Sequence, residues 1–235
     1  MKFKAVIFDL FGTLVENFSA REYANLHVRL AETLGVPADA FARIWKATSD
    51  ERFKGVMKTT AAYLAYVCEK LGAKVTDAKI KRAAQIRLDY AARQMVPRAN
   101  AMPTLSTLKS RGYKLGLISD CSNEAPAIWP STLLATLVDV AIFSCVVGVK
   151  KPDPHIYHLA TEQLGVKPEE CLYVGDGDSQ ELTGAAQVGM NPVLIRVPDN
   201  ALGSPDETLD AYRLNAQEWS GPTVMSLTEV LALAV

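Results

Sequence analysis

The pattern of hydrophobic and polar positions changes character twice along this chain. Ala5–Phe8 is a compact apolar run, AVIF, that ends in a polar turn. Such a run predicts a short strand buried on both faces. From about Ser19 to Met95 the apolar residues recur at helical spacing instead, in REYANLHVRLAETLGV, DAFARIWKATSDER, TTAAYLAYVCEKLG and the stretch Ile80 to Met95. Gly35, Gly55 and Gly72 punctuate these segments, and Asp39, Thr59 and Thr76 stand at or near N-cap positions. The spacing predicts four helices in a row with no strand between them.

After Pro97 strands and helices alternate. The pattern predicts helices over Met102–Ser110, Trp129–Leu137, Pro154–Leu164 and Gln180–Val188. It predicts strands over Lys114–Ile118, within Val138–Val147, and over Cys171–Val174 and Pro192–Val197. A last strand at Thr223–Met225 and a terminal helix follow, and Asp199–Asp206 is the most loop-like region. Alternation of this kind implies an α/β fold, a doubly wound parallel sheet with helices on both faces. The expected organisation is one α/β core domain from residues 1–16 and 97–235, with residues 17–96 as an all-helical insertion. Ligands of open parallel sheets bind at the carboxyl ends of the strands. An insertion after the first strand sits above that edge, where it can act as a lid.

Composition narrows the picture. Hydrophobic residues make up 49% and charged residues 22% of the 235 positions, and the formal net charge is −1. That suits a globular core and gives no basic excess for nucleic acid or an anionic membrane. No apolar run is long enough to span a bilayer. MKFKAVIFDLFGTL reads as a strand entering a turn rather than a signal peptide. Cys68, Cys121, Cys145 and Cys171 form no CxxC pair. Reduced, buried thiols in a cytoplasmic protein are the expectation, with no zinc site.

Four polar patches fall just after four expected strands. Asp9-Leu10-Phe11-Gly12-Thr13-Leu14 follows the first. A carboxylate at a strand tip with Gly in the turn lets a ligand approach closely and leaves backbone N–H groups facing an anion; a turn cap is the plainer role for Asp9. Ser119-Asp120 follows the second strand and offers a hydroxyl to an anionic oxygen, with Ser122-Asn123 as a substitute three residues on. Lys150-Lys151-Pro152-Asp153-Pro154 places a cation before a helix start, where it either reaches over a strand end or is merely solvated. Gly175-Asp176-Gly177-Asp178-Ser179-Gln180-Glu181 sets acids in a Gly-rich turn that suits a hard cation such as Mg²⁺.

Taken in order, DLFGTL, ISD, KKPDP and GDGDSQEL resemble the four motifs of the haloacid dehalogenase (HAD)-like hydrolase superfamily. The resemblance covers almost the whole chain, with residues 18–95 similar to the helical cap that some members carry after motif one. It implies a Rossmann-like core and an aspartate nucleophile at Asp9. It further implies Ser119 and Lys151 as binders of the transferring group, with Gly12, Thr13 and Asp120 beside them. A Mg²⁺ ion would be held by Asp9, Asp176 and the backbone carbonyl of Phe11, and Asp178 or Glu181 would support it from behind. The substrate would be a small anionic molecule, and the protein a monomer or homodimer.

Phe11 departs from the pattern. Phosphatases of the superfamily usually carry a second Asp there, which moves a proton to the leaving group; Phe moves none. General acid–base help is typically worth ~10²–10⁴-fold. An aromatic at this place resembles the haloacid dehalogenase branch, which expels halide from carbon and needs neither proton nor metal. The GDGD of the fourth patch resembles the phosphatases instead. An idle buried acid is costly, whereas a Phe can turn into the cap, so Mg²⁺-dependent phosphatase is the leading reading. Metal-independent dehalogenation and a non-catalytic binding protein on the same scaffold are the alternatives. Of the helical residues Asn17, Arg21, Tyr23, Arg43 and Lys54, Arg21 is the best placed to bind a substrate anion. Trp45, Tyr63, Tyr66 and Tyr90 read as packing, and His27, His155 and His158 show no metal spacing.

Overall fold

The computed structural model describes residues 3–196 and 219–234; the loop expected at Asp199–Asp206 lies outside them. Six parallel strands are ordered β3-β2-β1-β4-β5-β6, with β1 Ala5–Phe8, β2 Lys114–Ser119, β3 Val140–Phe143, β4 Cys171–Gly175, β5 Asn191–Ile195 and β6 Thr223–Val224. β1 is the central strand and is buried along its whole length. Its alternation divides the core. Val6 and Phe8 face one layer with Leu105, Leu108 and Val230, while Ala5 and Ile7 face the other with Ile156, Tyr157 and Leu182. This is the doubly wound, Rossmann-like arrangement expected from the alternating pattern.

Register determines where the chemistry lies. Phe8 pairs with Leu117 on β2 and with Val174 on β4. Asp9, Ser119-Asp120 and Gly175-Asp176 therefore leave the sheet at nearly the same level and on neighbouring strands. Helix α9, Pro154–Leu164, begins directly after the lysine patch, with Asp153 capping its first turn by accepting from the His155 N–H at 2.9 Å. The preceding Lys151–Pro152 peptide is cis.

Between β1 and the next strand the chain forms α1 Ala20–Leu34, α2 Ala38–Ala47, α3 Ser49–Phe53, α4 Thr60–Lys70 and α5 Asp77–Gln94, then α6 Ala101–Ser110. The inserted helices number five, not four. The second expected helix breaks at Thr48 (φ −103°, ψ 20°), whose hydroxyl turns back to the Ile44 carbonyl at 2.8 Å and also touches the Tyr63 hydroxyl. The expected helix at Trp129–Leu137 is also corrected. A helix α7 covers Glu124–Ile128, and only two 3₁₀ turns follow, at Trp129–Ser131 and Leu134–Thr136. Pro130 lacks the N–H that would continue α7. In the Val138–Val147 region, β3 passes into a single helical turn, α8 Ser144–Val147.

The inserted helices have their own apolar core, built on Leu26, Leu30, Phe41, Trp45, Tyr63 and Val67. They join the sheet through neighbouring bridges, Phe11 to Val15 and Val15 to Pro97. Their firmest tie to the α/β layer is ionic. Arg87 of α5 donates from Nε and Nη2 to the two carboxylate oxygens of Glu124, at 3.3 and 3.2 Å, and from Nη2 to the Ser122 Oγ at 3.3 Å. Both charged residues are buried. Asn123 adds a bond to the Met57 carbonyl at 2.8 Å, and Lys150 pairs with Asp50 at 2.9 Å. Burial by itself would raise the Glu124 carboxyl, but Arg87 and Ser122 bring it down to about 2. Burial, with Arg87 and Arg52 nearby, lowers His27 to about 4.

Two outcomes follow. Removing one partner of a buried pair leaves a bare charge, so Arg87→Met is expected to cost ~3–5 kcal/mol in urea unfolding, and adding Glu124→Leu should recover most of it; an unchanged midpoint for Arg87→Met would contradict this. The acid response follows from the same groups. His27 takes up its proton near 6.5 when unfolded and near 4 when folded, so its contribution is complete above 6.5 and lost on the way down to 4. The depressed Glu124 contributes above 4.5, and that contribution is lost as pH falls to about 2. Taken alone, these two contributions fall stepwise from pH 6.5 downward, and the difference in stability between wild type and His27→Gln should isolate the first step.

Candidate active site

Asp9 begins the turn after β1 and is only 5% exposed. Its Oδ1 accepts from the Lys151 Nζ at 2.6 Å, and the same ammonium donates to Glu181 Oε2 at 2.5 Å. Lys151 and Glu181 are both buried. Glu181 is fixed from two more sides, by the Tyr173 hydroxyl at 2.8 Å and the Gly177 N–H at 3.0 Å. Asp176 stands on the other flank of Asp9. One of its oxygens accepts from Asn17 Nδ2 at 3.1 Å, the other from the Asp178 N–H at 3.1 Å. Asp120 holds the lysine's own backbone, accepting from the Lys151 N–H at 3.0 Å.

Local backbone geometry makes this approach possible. Gly12 has φ +82°, and a Cβ placed there would lie 2.1 Å from Asp176 Oδ2. Only glycine tolerates both conditions, so the Phe11–Gly12 backbone lies directly against Asp176. The turn after β4 is also unusual, with Ser179 and Gln180 both at φ 54°. Non-glycine residues in this region are strained and gather at functional sites.

Charge at the cluster does not balance. One oxygen from each of Asp9, Asp176 and Glu181 lies within 4.8 Å of the others, against the single ammonium of Lys151. Burial opposes the charge on Lys151, yet Asp9 and Glu181 hold its pKa well above the ordinary lysine range. Burial pushes Asp9 up, Lys151 pulls it down, and Glu181 and Asp176 push it up again. Asp176 has no ammonium in contact. Burial, then Glu181 and Asp178, raise it to about 7. Three hard oxygen donors with a deficit of positive charge fit a Mg²⁺ ion, which prefers carboxylates and waters. Asp9 and Asp176 would hold it, with the Phe11 carbonyl as the third ligand that the sequence resemblance implies, because the Glu181 oxygens are engaged by Lys151, Tyr173 and Gly177. Nearby, Ser119 Oγ, Thr13 Oγ1 and Asp120 Oδ2 are buried polar atoms without a hydrogen-bond partner. Buried hydroxyls rarely stay unpaired, and these suit the oxygens of an incoming anion.

Asp9, Gly12, Asp120, Lys151, Asp176 and Glu181 thus meet at one rim, with Ser119 at the end of the neighbouring strand and Thr13 buried in the turn after β1. Glu181 comes closer than expected, bonding Lys151 itself. Asp178 is exposed, and its carboxylate accepts from the Ser179 N–H at 2.6 Å. Arg21, expected to bind substrate, is exposed on the first turn of α1, with no contact linking it to the cluster. Lys54 pairs with Asp50 at 2.8 Å, and Arg43 is exposed. Asn17 holds Asp176, and Tyr23 accepts from Trp45 Nε1 at 2.9 Å. Phe11 turns toward the inserted helices, its ring centroid 4.8 Å from that of Phe18, which stacks on Tyr90 at 6.0 Å. Tyr173, Arg87 and Glu124 were not anticipated. Tyr173 alternates with buried apolar residues, so nothing in β4 marks its hydroxyl. Arg87 and Glu124 are ordinary helix-surface types until they are paired.

Comparison with known proteins agrees with this geometry. The family model for haloacid dehalogenase-like hydrolases matches residues 3–189. A glyceraldehyde 3-phosphate phosphatase of Methanopyrus kandleri is 28% identical, the match covering 92% of this chain and 99% of that protein. An (S)-2-haloacid dehalogenase 4A of Burkholderia cepacia is 29% identical, covering 87% and 86%. In fold, the chain is similar to a HAD phosphatase from Thermococcus onnurineus, with a TM-score of 0.65 at 23% identity over 99% of this chain and 98% of the other. Phosphatases and dehalogenases both stand among the relatives.

The raised Asp176 sets a pH response without added cation. Between its unfolded value of 3.8 and about 7 the folded chain holds a proton that the unfolded chain has released, so stability falls as pH rises through that window. Thermal melts of wild type and of Asp176→Asn in a chelator should differ by this slope. Millimolar Mg²⁺ should restore stability at pH 8 in the wild type only; equal restoration in Asp176→Asn would contradict the assignment of the cation to this carboxylate.

Proposed function

The chain belongs to the haloacid dehalogenase-like hydrolases, and we propose that it is a Mg²⁺-dependent phosphatase that acts on a small phosphorylated metabolite with a good leaving group. The observation that carries this reading is the surplus of clustered carboxylate: the buried Asp9 and Glu181 and the half-buried Asp176, against Lys151 alone. A metal-free enzyme gains nothing from Asp176 beside its nucleophile.

In this reading an oxygen of Asp9 attacks phosphorus and the bond to the leaving oxygen breaks. Water then attacks phosphorus, releasing phosphate and regenerating Asp9. Lys151 opposes the burial and the neighbouring carboxylates that together raise Asp9 well above the ordinary carboxylate range, and a bound cation would complete its ionisation; with the unpartnered hydroxyls of Ser119 and Thr13, the ammonium meets the phosphoryl oxygens. Mg²⁺, when bound, supplies the charge that lets a carboxylate approach an anionic phosphate. Tyr173 and Gly177 fix Glu181, and Glu181 fixes Lys151, so the ammonium has little freedom to stray. The helices between residues 20 and 94 serve as a cap that closes over the rim and selects the substrate. Phe11 donates no proton, which favours acyl or aryl phosphates, whose leaving groups need none. A cytoplasmic setting agrees with four cysteines that are all free.

A second reading, metal-free displacement of halide from carbon, is favoured by Phe11 alone, since a halide also leaves without a proton. A panel of acyl, aryl and alkyl phosphates and 2-haloacids, with Mg²⁺ or chelator, separates the two. Mg²⁺-dependent phosphate release is the expected result, and halide release in chelator would replace it. Turnover of any substrate, lost in Asp9→Asn by ~10³-fold or more, excludes a non-catalytic scaffold. Phe11→Asp restores a proton carrier and should speed alkyl phosphate hydrolysis by ~10²-fold while changing acyl phosphate turnover little; no gain on alkyl phosphates would show that Phe11 is not what limits them.

A further inference from the structure

We propose that Cys121 and Cys145 are an oxidisable pair, a disulfide-forming site that moves the anion-binding loop of the active site. The two sulfurs lie 4.0 Å apart and both residues are buried. Their closeness follows from the sheet. Ser119 on β2 pairs with Phe143 on β3, and each cysteine stands two residues beyond its partnered position. Neighbouring strands run ~4.8 Å apart, inside the Cα separation of ~4.4–6.8 Å that a disulfide requires. The loops are already fastened together, with the Cys121 N–H donating to Ser144 Oγ at 3.0 Å and that hydroxyl donating back to the Cys121 carbonyl at 3.4 Å. Cys68 and Cys171 have no second sulfur in contact among the described residues, so the pair is specific.

The place gives the bond a consequence. Cys121 directly follows Ser119-Asp120, and Asp120 holds the Lys151 N–H. Shortening the sulfur separation from 4.0 Å to ~2.05 Å must shift one loop, and displacements of ~1 Å at a reacting centre cost ~10²-fold in rate. Cys145 lies where the inserted helices meet the sheet. A Cβ on Gly55 would fall 1.7 Å from the Cys145 carbonyl oxygen, so the turn after α3 rests on this residue when the cap is closed. The hydrogen bond from Cys121 lowers the Cys145 thiol below its ordinary value, which marks it as the sulfur that reacts first.

The chemistry needs a hydroperoxide. The Cys145 thiolate attacks one peroxide oxygen, the O–O bond breaks, and the departing hydroxide leaves as water once protonated. The resulting sulfenic sulfur is attacked by Cys121, its S–O bond breaks, and the second hydroxide takes the Cys121 proton and leaves as water. Two thiols are oxidised and one hydrogen peroxide is reduced to two waters.

The proposal rests on the phosphatase reading only for its effect on rate, and the test keeps the two apart. The full-length protein is treated with hydrogen peroxide and analysed by intact mass and peptide mapping. A cross-linked Cys121–Cys145 peptide, absent in Cys121→Ser and in Cys145→Ser, is expected. Exchange of the Lys151 amide should change on oxidation. Acetyl phosphate hydrolysis should fall at least tenfold and recover with dithiothreitol, while Cys145→Ser stays active in peroxide. Absence of the cross-linked peptide, or its formation with neither the Lys151 amide nor the rate altered, overturns the proposal. If the reduced protein hydrolyses no phosphate, the phosphatase reading fails, and the peptide and the amide still decide the fate of the pair.

Discussion

A single buried ammonium held by two buried carboxylates, with a third carboxylate half-buried beside them, is the constraint on which the site depends. Lys151 reaches Asp9 and Glu181 at hydrogen-bond distance and is sealed from water by the layers around it. Unpaired charge in such a place is expensive, so every neighbouring group is arranged to share it. Tyr173 and Gly177 anchor Glu181, Asp120 anchors the lysine backbone, and Asn17 steadies Asp176. With all three carboxylates ionised, the one ammonium leaves two negative charges uncompensated, and the proposed metal-assisted chemistry rests on that remainder.

The fold delivers these groups through the register of a parallel sheet. Three strands end at one level because Phe8 pairs with Leu117 on one side and Val174 on the other. The fourth contributor, Lys151, comes from the turn after α8, just before the start of α9. The inserted helices rest on this edge through Arg87 and Glu124, a pair whose partners come from different layers. The same loop after β2 therefore carries Ser119 and Asp120 toward the reacting centre, Ser122, Asn123 and Glu124 toward the helices, and Cys121 toward β3. Events at the cap contact and at the thiols have a short mechanical route to Asp9.

Much of this is legible in the amino-acid sequence, and what is not has identifiable causes. β1 and α9 stand where the apolar runs place them, because strand burial and an Asp-Pro helix start are local signals. Asp9, Ser119 and Asp176 are visible because each ends or directly follows a strand, and Lys151 because it precedes the Pro-flanked start of α9. Thr48 and Pro130 break helices that periodicity alone would continue, one through a hydroxyl that finds the Ile44 carbonyl and the other through a missing N–H. Arg87 and Glu124 are illegible because a buried ion pair is defined by its partner, 37 residues away. Arg21, near Asp9 in sequence, stands on an exposed turn of α1.

The most direct test of the central claim is a diffraction experiment on crystals soaked in Mn²⁺, read by anomalous scattering at the metal edge. The account predicts one strong peak between the Asp9 and Asp176 carboxylates, against the Phe11 carbonyl, and none in Asp176→Asn. An empty position there at millimolar Mn²⁺ and pH 8, with Asp9 and Lys151 still in contact, would contradict it.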